Sequence, residues 1–132
     1  PNDFKYLVIA ESGLDSHAKS KAWAVWLWQF MPDTARRYGL VVNGERDDRL
    51  DVVKSTDAAI RYLSDLHWIF NNWTLVAAAY NRWENGLQSD LREQNITSYY
   101  DLNTNNETWN YIYRILSIKY FFENYFYFSQ LL

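Results

Sequence analysis

Residues 11–40 read ESGLDSHAKSKAWAVWLWQFMPDTARRYGL, and the breaks in this segment decide how the chain is organised. The apolar residues before it, FKYLVIAES at 4–12, predict a helix that ends near Glu11 at the Glu-Ser-Gly break. Pro32 at a first helical position and Gly39 as a stop predict a short second helix. The segment therefore joins two helices, and Glu11 lies at the end of a buried element.

Helical signals continue through the middle of the chain. Ser55 or Thr56 is predicted to cap a helix whose apolar positions are 59, 63, 66 and 70. The sequence TLVAAAYNR at 74–82 is apolar nearly all round, which predicts a buried helix whose end presents Tyr80 and Asn81. A polar pair that closes an apolar helix suggests a functional reason.

The last part of the chain is also predicted to be helical. The polar stretch 84–106 indicates one short helix and a loop. A further helix over 107 to about 123 is predicted, capped by Asn105 or Asn106, with an apolar stripe at 111, 115, 118 and 122. With five or six helices and no convincing alternating strand, the predicted fold class is all-α.

Composition excludes several classes of function. The net charge is −3, and thirteen Lys and Arg residues are scattered among sixteen acidic residues, so no basic stripe predicts nucleic-acid binding. The chain has no cysteine, and His17 and His67 are isolated, so we expect neither a metal site nor a cofactor. No apolar run approaches the roughly 20 residues that span a bilayer. We expect a monomeric single domain over residues 1–132, cut from a longer protein.

Glu11 is the candidate acid of the chain. A carboxyl between an apolar helix and a turn is desolvated, which raises its pKa and suits it to protonate a leaving oxygen. Taken alone, a glutamate at a helix end is more often a solvated residue. Ser20 alone is a turn residue, and Gln29 alone is a surface amide. The order and spacing of these residues carry more information than any one of them.

Three segments together resemble a known family. Residues 11–40, followed by AAYN at 78–81 and ETWNYIYRIL at 107–116, are similar to the catalytic SLT domain of the lytic transglycosylases of glycoside hydrolase family 23. The resemblance covers nearly the whole chain and contains the family motifs in order. It implies a lysozyme-like helical domain with a substrate cleft, which cleaves the β-1,4 bond between N-acetylmuramic acid and N-acetylglucosamine. It also implies peptidoglycan strands as partner and the cell envelope as location.

The resemblance implies a role for each matching residue. Glu11 would be the sole catalytic carboxylate, first acid and then base. The substrate's 2-acetamido group would stabilise the anomeric centre, and its C6 hydroxyl would close onto C1 to give a 1,6-anhydromuramoyl end. This route explains why no second carboxylate is found at a convincing position. The implied substrate-binding residues are Ser20, Gln29, Met31, Tyr80, Asn81 and Tyr111. Asp48 and Arg49 match an acidic-basic loop, where an ion pair that shapes the loop is expected.

Three tryptophans depart from the family pattern. Trp23, Trp26 and Trp83 stand where the family has glycine, whereas Trp28 belongs to the motif. Glycine suits such positions because the backbone approaches substrate closely or adopts a positive φ. One explanation is that the tryptophans are genuine and partly block the cleft. The other, which we favour, is that UGA codons for glycine have been translated as tryptophan.

Three other functions are consistent with parts of this pattern. A goose-type lysozyme would use the same fold with water as the attacking group. A catalytically impaired peptidoglycan-binding domain would account for the three departing tryptophans. Periodicity alone would also allow an aromatic-rich helical interaction domain, but the set of motifs argues against it.

Overall fold

The computed structural model describes residues 1–15 and 24–130, and within these ranges the regular structure is helical. The isolated bridges Val25–Phe30 and Val42–Asp47 are the only β pairings in this part of the chain. The predicted all-α class is confirmed. The helices are α1 (Phe4–Ser12), α2 (Pro32–Arg37), α3 (Val52–Phe70), α4 (Trp73–Arg82), α5 (Glu84–Glu93), α6 (Asn106–Glu123) and α7 (Tyr125–Ser129), with 3₁₀ turns at Asp48–Leu50 and Tyr99–Asp101.

The chain divides into two compact units. The first unit comprises Pro1–Ala10 and Leu66–Leu132, and the second comprises Glu11–Asp65. In the first unit α4 packs against α5, α6 and the second 3₁₀ turn, and its residues 75–80 are buried. The predicted buried helix is therefore confirmed, and it forms the centre of the first unit.

The start of α3 corrects a prediction. The helix begins at Val52, so neither Ser55 nor Thr56 is its cap. The carboxylate of Asp51 accepts the backbone N–H groups two and three residues further on, each at 3.0 Å. Ser55 lies inside the first turn, where its hydroxyl donates to the carbonyl of Asp51 at 2.6 Å. Serine hydroxyls bond nearby backbone groups both at helix caps and inside helices, where they bind the carbonyl four residues earlier. The sequence alone therefore does not distinguish these two positions.

Two other helix ends follow the sequence closely. α2 has Pro32 at its first position, and Gly39 with φ +83° follows its last turn. α6 is capped by Asn105, whose side chain accepts the N–H of Thr108 at 2.9 Å. The sequence allows either Asn105 or Asn106 as the cap, and in the structure the cap is Asn105.

The apolar stripe of α6 is only partly buried. Tyr111 in its second turn is buried, whereas Phe122 is 51% exposed. The predicted helix is confirmed, and its stripe is buried at the start and exposed toward the C-terminal end, because helical periodicity fixes a face but not the length over which another element covers it. None of the described helices is both long enough and apolar enough to cross a membrane.

Candidate active site

Glu11 lies in the last turn of α1 and is half-buried. The helix ends because Gly13 and Leu14 both take left-handed φ angles, 61° and 62°. The hydroxyl of Ser12 accepts the N–H of Leu14 at 3.2 Å, and its carbonyl accepts the N–H of Asp15 at 3.0 Å. This closed turn confirms the predicted helix end, while the role of Glu11 as an acid stays a prediction.

Ser20, which the resemblance implies is near the acetamido group or the catalytic carboxyl, lies outside the described residues. The same holds for Trp23, since both belong to residues 16–23.

Gln29 and Met31 lie in and just after a tight turn at 26–29. The backbone N–H of Gln29 donates to the carbonyl of Trp26 at 3.2 Å, and its side-chain Nε2 donates to the same carbonyl at 2.7 Å. Gln29 has φ +48°, so its backbone is held in the left-handed region. Met31 is half-buried and extended just before α2. The turn therefore sets the orientation of the Gln29 amide.

Two side chains from later segments of the second unit hold this turn. The indole Nε1 of Trp28 donates to Oγ1 of Thr56 at 3.0 Å, which ties the turn to α3. Nη1 of Arg49 donates to the carbonyl of Phe30 at 2.9 Å. Trp28 is buried, so this motif tryptophan supports the turn from within the protein.

The charged loop at 46–54 contains two ion-paired groups. Arg49 binds Asp47 through Nε at 2.9 Å and through Nη2 at 2.7 Å. Asp48 accepts from Arg46 at 2.8 Å and from Lys54 at 3.0 Å. The hydrogen bond from Arg49 lowers the pKa of Asp47, and the bond from Arg46 holds the pKa of Asp48 well below its usual range. Both carboxylates are ionised at neutral pH and are occupied in shaping the loop.

Asn81 lies at the end of α4, where the first turn of α6 fixes its side chain. Oγ1 of Thr108 donates to Oδ1 of Asn81 at 3.2 Å. Nδ2 of Asn81 donates to the carboxylate of Glu107 at 3.5 Å. The amide oxygen is thus satisfied by a buried hydroxyl, and the amide nitrogen is the group that Asn81 can direct to a ligand.

Tyr99 fixes the backbone that carries Thr108. Its hydroxyl lies 2.7 Å from the carbonyl of Thr108 and 2.7 Å from that of Trp109. Burial raises the pKa of Tyr99 to about 12, so it remains a hydrogen-bond donor. Neither Tyr99 nor Thr108 is among the site residues predicted from the sequence. Because Thr108 is three residues after the cap of α6, its backbone N–H could be expected to bind the Asn105 side chain. Its side-chain bond to Asn81 has no such local signal.

Tyr80 and Tyr111 are both buried in the first unit, on the packed helices α4 and α6. Asn81 is on the same unit, whereas Glu11, Gln29 and Met31 belong to the second unit. Among the residues that the structure describes, no cluster of His, Asp or Glu could hold a metal ion.

Two of the departing tryptophans have backbone angles that favour glycine. Trp26 has φ +63° and is buried, and Trp83 has φ +69° with ψ +140° and is 45% exposed. Trp83 is the single residue between the end of α4 at Arg82 and the start of α5 at Glu84. Of the two reasons for glycine at such positions, close approach to substrate or a positive φ, the positive φ is observed at both Trp26 and Trp83.

Comparison with known proteins identifies the family. The chain matches the Transglycosylase SLT domain over residues 1–103. It is 35% identical over 124 residues to the membrane-bound lytic murein transglycosylase D of Escherichia coli strain K12, and equally to that of Escherichia coli O6:H1. Each alignment covers 90% of this chain and 27% of the relative, so the chain spans about a quarter of the relatives' length. Since the family match takes in most of the chain, the protein belongs to the transglycosylase SLT domain family, as its motifs predicted.

Proposed function

We propose that the chain is the catalytic domain of a peptidoglycan lytic transglycosylase, part of a longer protein that acts in the cell envelope. The observation that carries the proposal is Glu11, a half-buried carboxyl at the end of α1 in a chain of the SLT family. General acid catalysis needs one carboxyl placed to give a proton to the leaving oxygen, and the family resemblance assigns that task to Glu11.

The proposed reaction uses one carboxyl in two steps. Glu11 gives its proton to the glycosidic oxygen between N-acetylmuramic acid and N-acetylglucosamine, and the C1–O bond breaks. The 2-acetamido oxygen of the substrate stabilises the cationic C1. Glu11, now a carboxylate, takes the proton of the C6 hydroxyl, and the C6 oxygen bonds to C1. The products are a free 4-hydroxyl and a 1,6-anhydromuramoyl end, with no water consumed.

The fixed polar groups support this assignment. A hydrogen bond to Thr108 orients the amide of Asn81, and a bond to the carbonyl of Trp26 orients that of Gln29. Amides held in this way can bind the acetamido and hydroxyl groups of a glycan without first losing rotational freedom. We assign substrate binding to Ser20, Gln29, Met31, Tyr80, Asn81 and Tyr111.

Digestion of purified peptidoglycan, followed by mass spectrometry of the released muropeptides, tests the proposal. We expect products with anhydromuramoyl ends, each one water lighter than a hydrolysis product. Glu11→Gln should lower the rate by about 10²- to 10⁴-fold. Glu45→Gln, at an exposed loop position, is the matched control and should leave the rate unchanged. Products with only hydrated reducing ends would indicate a goose-type lysozyme instead.

The two tryptophans at positive φ favour a second candidate for the chain as written. A domain with indoles at positions 26 and 83 would bind glycan strands and cleave them poorly. The digest should therefore be repeated with glycine at positions 23, 26 and 83. Cleavage only by the glycine version would show that the indoles impair an otherwise competent enzyme, equal cleavage by both versions would overturn this second candidate, and binding without cleavage in both versions would indicate a domain that only binds glycan.

A further inference from the structure

Arg49 is an arginine whose charged group is almost fully enclosed. The residue is 6% exposed, although its loop neighbour Arg46 is largely exposed. A buried charge is costly unless each of its donors is used, so its partners indicate its role. Arg49 has partners on two different segments of the second unit.

One pair of donors fixes the guanidinium in its plane. Nε and Nη2 meet the two carboxylate oxygens of Asp47 at 2.9 and 2.7 Å, a bidentate arrangement. Asp47 also accepts the backbone N–H of Arg49 at 3.1 Å, as the cap of the 3₁₀ turn Asp48–Leu50. The carboxylate therefore holds both the backbone and the side chain of the arginine.

The third nitrogen of the guanidinium binds the backbone between two residues that are proposed to bind substrate, Gln29 and Met31. Nη1 of Arg49 donates to the carbonyl of Phe30 at 2.9 Å, and Phe30 lies between Gln29 and Met31. The bond spans 19 residues of sequence and is buried. A movement of the Phe30 carbonyl would rotate the peptide planes on either side of it and shift both neighbours.

We infer that Arg49, held by Asp47, is a positioning residue that fixes Gln29 and Met31 in the geometry required to bind the glycan. The inference rests on the proposed function for its effect on activity. Only arginine suits this position, since one planar group must donate to both oxygens of a carboxylate and to a separate carbonyl. A lysine would keep the charge but could not donate to the carboxylate and the carbonyl from one planar group.

Arg49→Lys and Arg49→Gln test the inference, with Arg46→Gln as the matched control. Arg46→Gln removes a cation from the same loop, leaves Lys54 paired with Asp48, and does not touch the bond to Phe30. The measurements are kcat and KM for release of anhydromuropeptides, the melting temperature, and the NMR signals of the Gln29 side-chain amide and the Trp28 indole N–H.

We expect both Arg49 variants to lower kcat/KM between about tenfold and a hundredfold, because small displacements of positioning groups have effects of this size. They should also shift the Gln29 amide signals, and Arg46→Gln should do neither. Should Arg49→Gln fail to fold, Arg49→Lys decides the question. Unchanged Gln29 signals in a folded Arg49 variant, or a kcat/KM within twofold of the parent, would overturn the inference. A parent that is itself inactive would contradict the proposed function alone, and the NMR signals would still decide whether Arg49 fixes the turn.

Discussion

At the scale of single residues, position 83 has a backbone conformation that favours glycine but carries a tryptophan. With φ +69° and ψ +140°, Trp83 lies close to a region that glycine occupies almost alone. Because it directly joins α4 to α5, neither helix can relax without moving the other. Asn81, two residues earlier, depends on the same junction for its position.

Trp83→Gly is expected to stabilise the protein by about 1 to 2 kcal/mol, since non-glycine residues in such regions cost about 1 to 3 kcal/mol. The indole is 45% exposed, so the loss of its buried part offsets some of this gain. Urea unfolding measures the change. Trp83→Ala is the control, because it removes the indole and keeps the Cβ, and it should recover much less. Equal gains in the two variants would show that the indole, not the backbone, is the source.

The codon at this position gives an independent check. We expect UGA at positions 23, 26 and 83, read as glycine in the organism of origin. Sequencing the gene tests this, and UGG at these positions would rule out the codon explanation.

The hydrogen bond from Thr108 to Asn81 permits a second test at this scale. Thr108→Val preserves the shape of a buried side chain and leaves the amide oxygen of Asn81 without its donor. We expect a loss of about 1 to 2 kcal/mol in the free energy of unfolding, together with lower lytic activity. Thr104→Val is a matched control, since Oγ1 of Thr104 is buried with no hydrogen-bond partner among the described residues. That variant should be neutral or slightly stabilising, and a similar loss in both would contradict the assignment.

At the scale of helices, local signals predicted the elements well and their contacts poorly. Pro32 and Gly39 marked α2 because each residue acts on its own backbone. The bond from Trp28 to Thr56 spans 28 residues, and the bond from Thr108 to Asn81 spans 27. No short pattern encodes such pairs, because they exist only after the helices have packed.

The same distinction explains what could be known of the site. Motif resemblance predicted Glu11, Gln29 and Asn81 as site residues one by one, and these roles stay predictions. Motif resemblance could not predict the bond from Arg49 to Phe30, because the acceptor is a backbone carbonyl and every residue has one. The start of α3 at Val52 was not predicted either, because Ser55 has a side chain typical of a helix cap but lies inside the first turn.

The cap of α6 gives a prediction at the scale of elements. Asn105→Ala removes the acceptor of the Thr108 N–H and should lower the free energy of unfolding by about 1 kcal/mol. Asn106→Ala, one residue later, is the control and should change it by only a few tenths of a kcal/mol. Denaturant unfolding of both variants separates them. A larger loss at position 106 would place the cap there instead.

At the scale of the whole molecule, the charged loop links stability to pH. The pKa values of Asp47 and Asp48 are lowered in the folded protein, mainly by hydrogen bonds from Arg49 and Arg46. Below about pH 4, the usual pKa of an aspartate, the unfolded chain therefore binds protons that the folded chain does not. The stabilisation is complete above this pH and is lost as the pH falls further.

We expect the free energy of unfolding to fall steadily from pH 4 toward pH 2. Urea unfolding at pH 6, 4, 3 and 2.5 measures this dependence. Asp48→Asn should be less stable at pH 6 and should show a shallower decline, since it no longer gains a proton on unfolding. An Asp48→Asn protein with the same slope as the parent would show that other carboxyl groups cause the decline.

The division of the chain into two units has a consequence for its synthesis. Residues of the second unit, Glu11–Asp65, are continuous in sequence, so they are all synthesised before the later segment of the first unit, Leu66–Leu132. The first unit is discontinuous, and its ion pair between Asp3 and Lys119, at 2.6 Å, joins residues 116 positions apart. At translation rates of about 5 to 20 residues per second, Asp3 waits roughly 6 to 23 s for this partner. During that interval the apolar face of α1 is without its final packing and stays accessible to solvent.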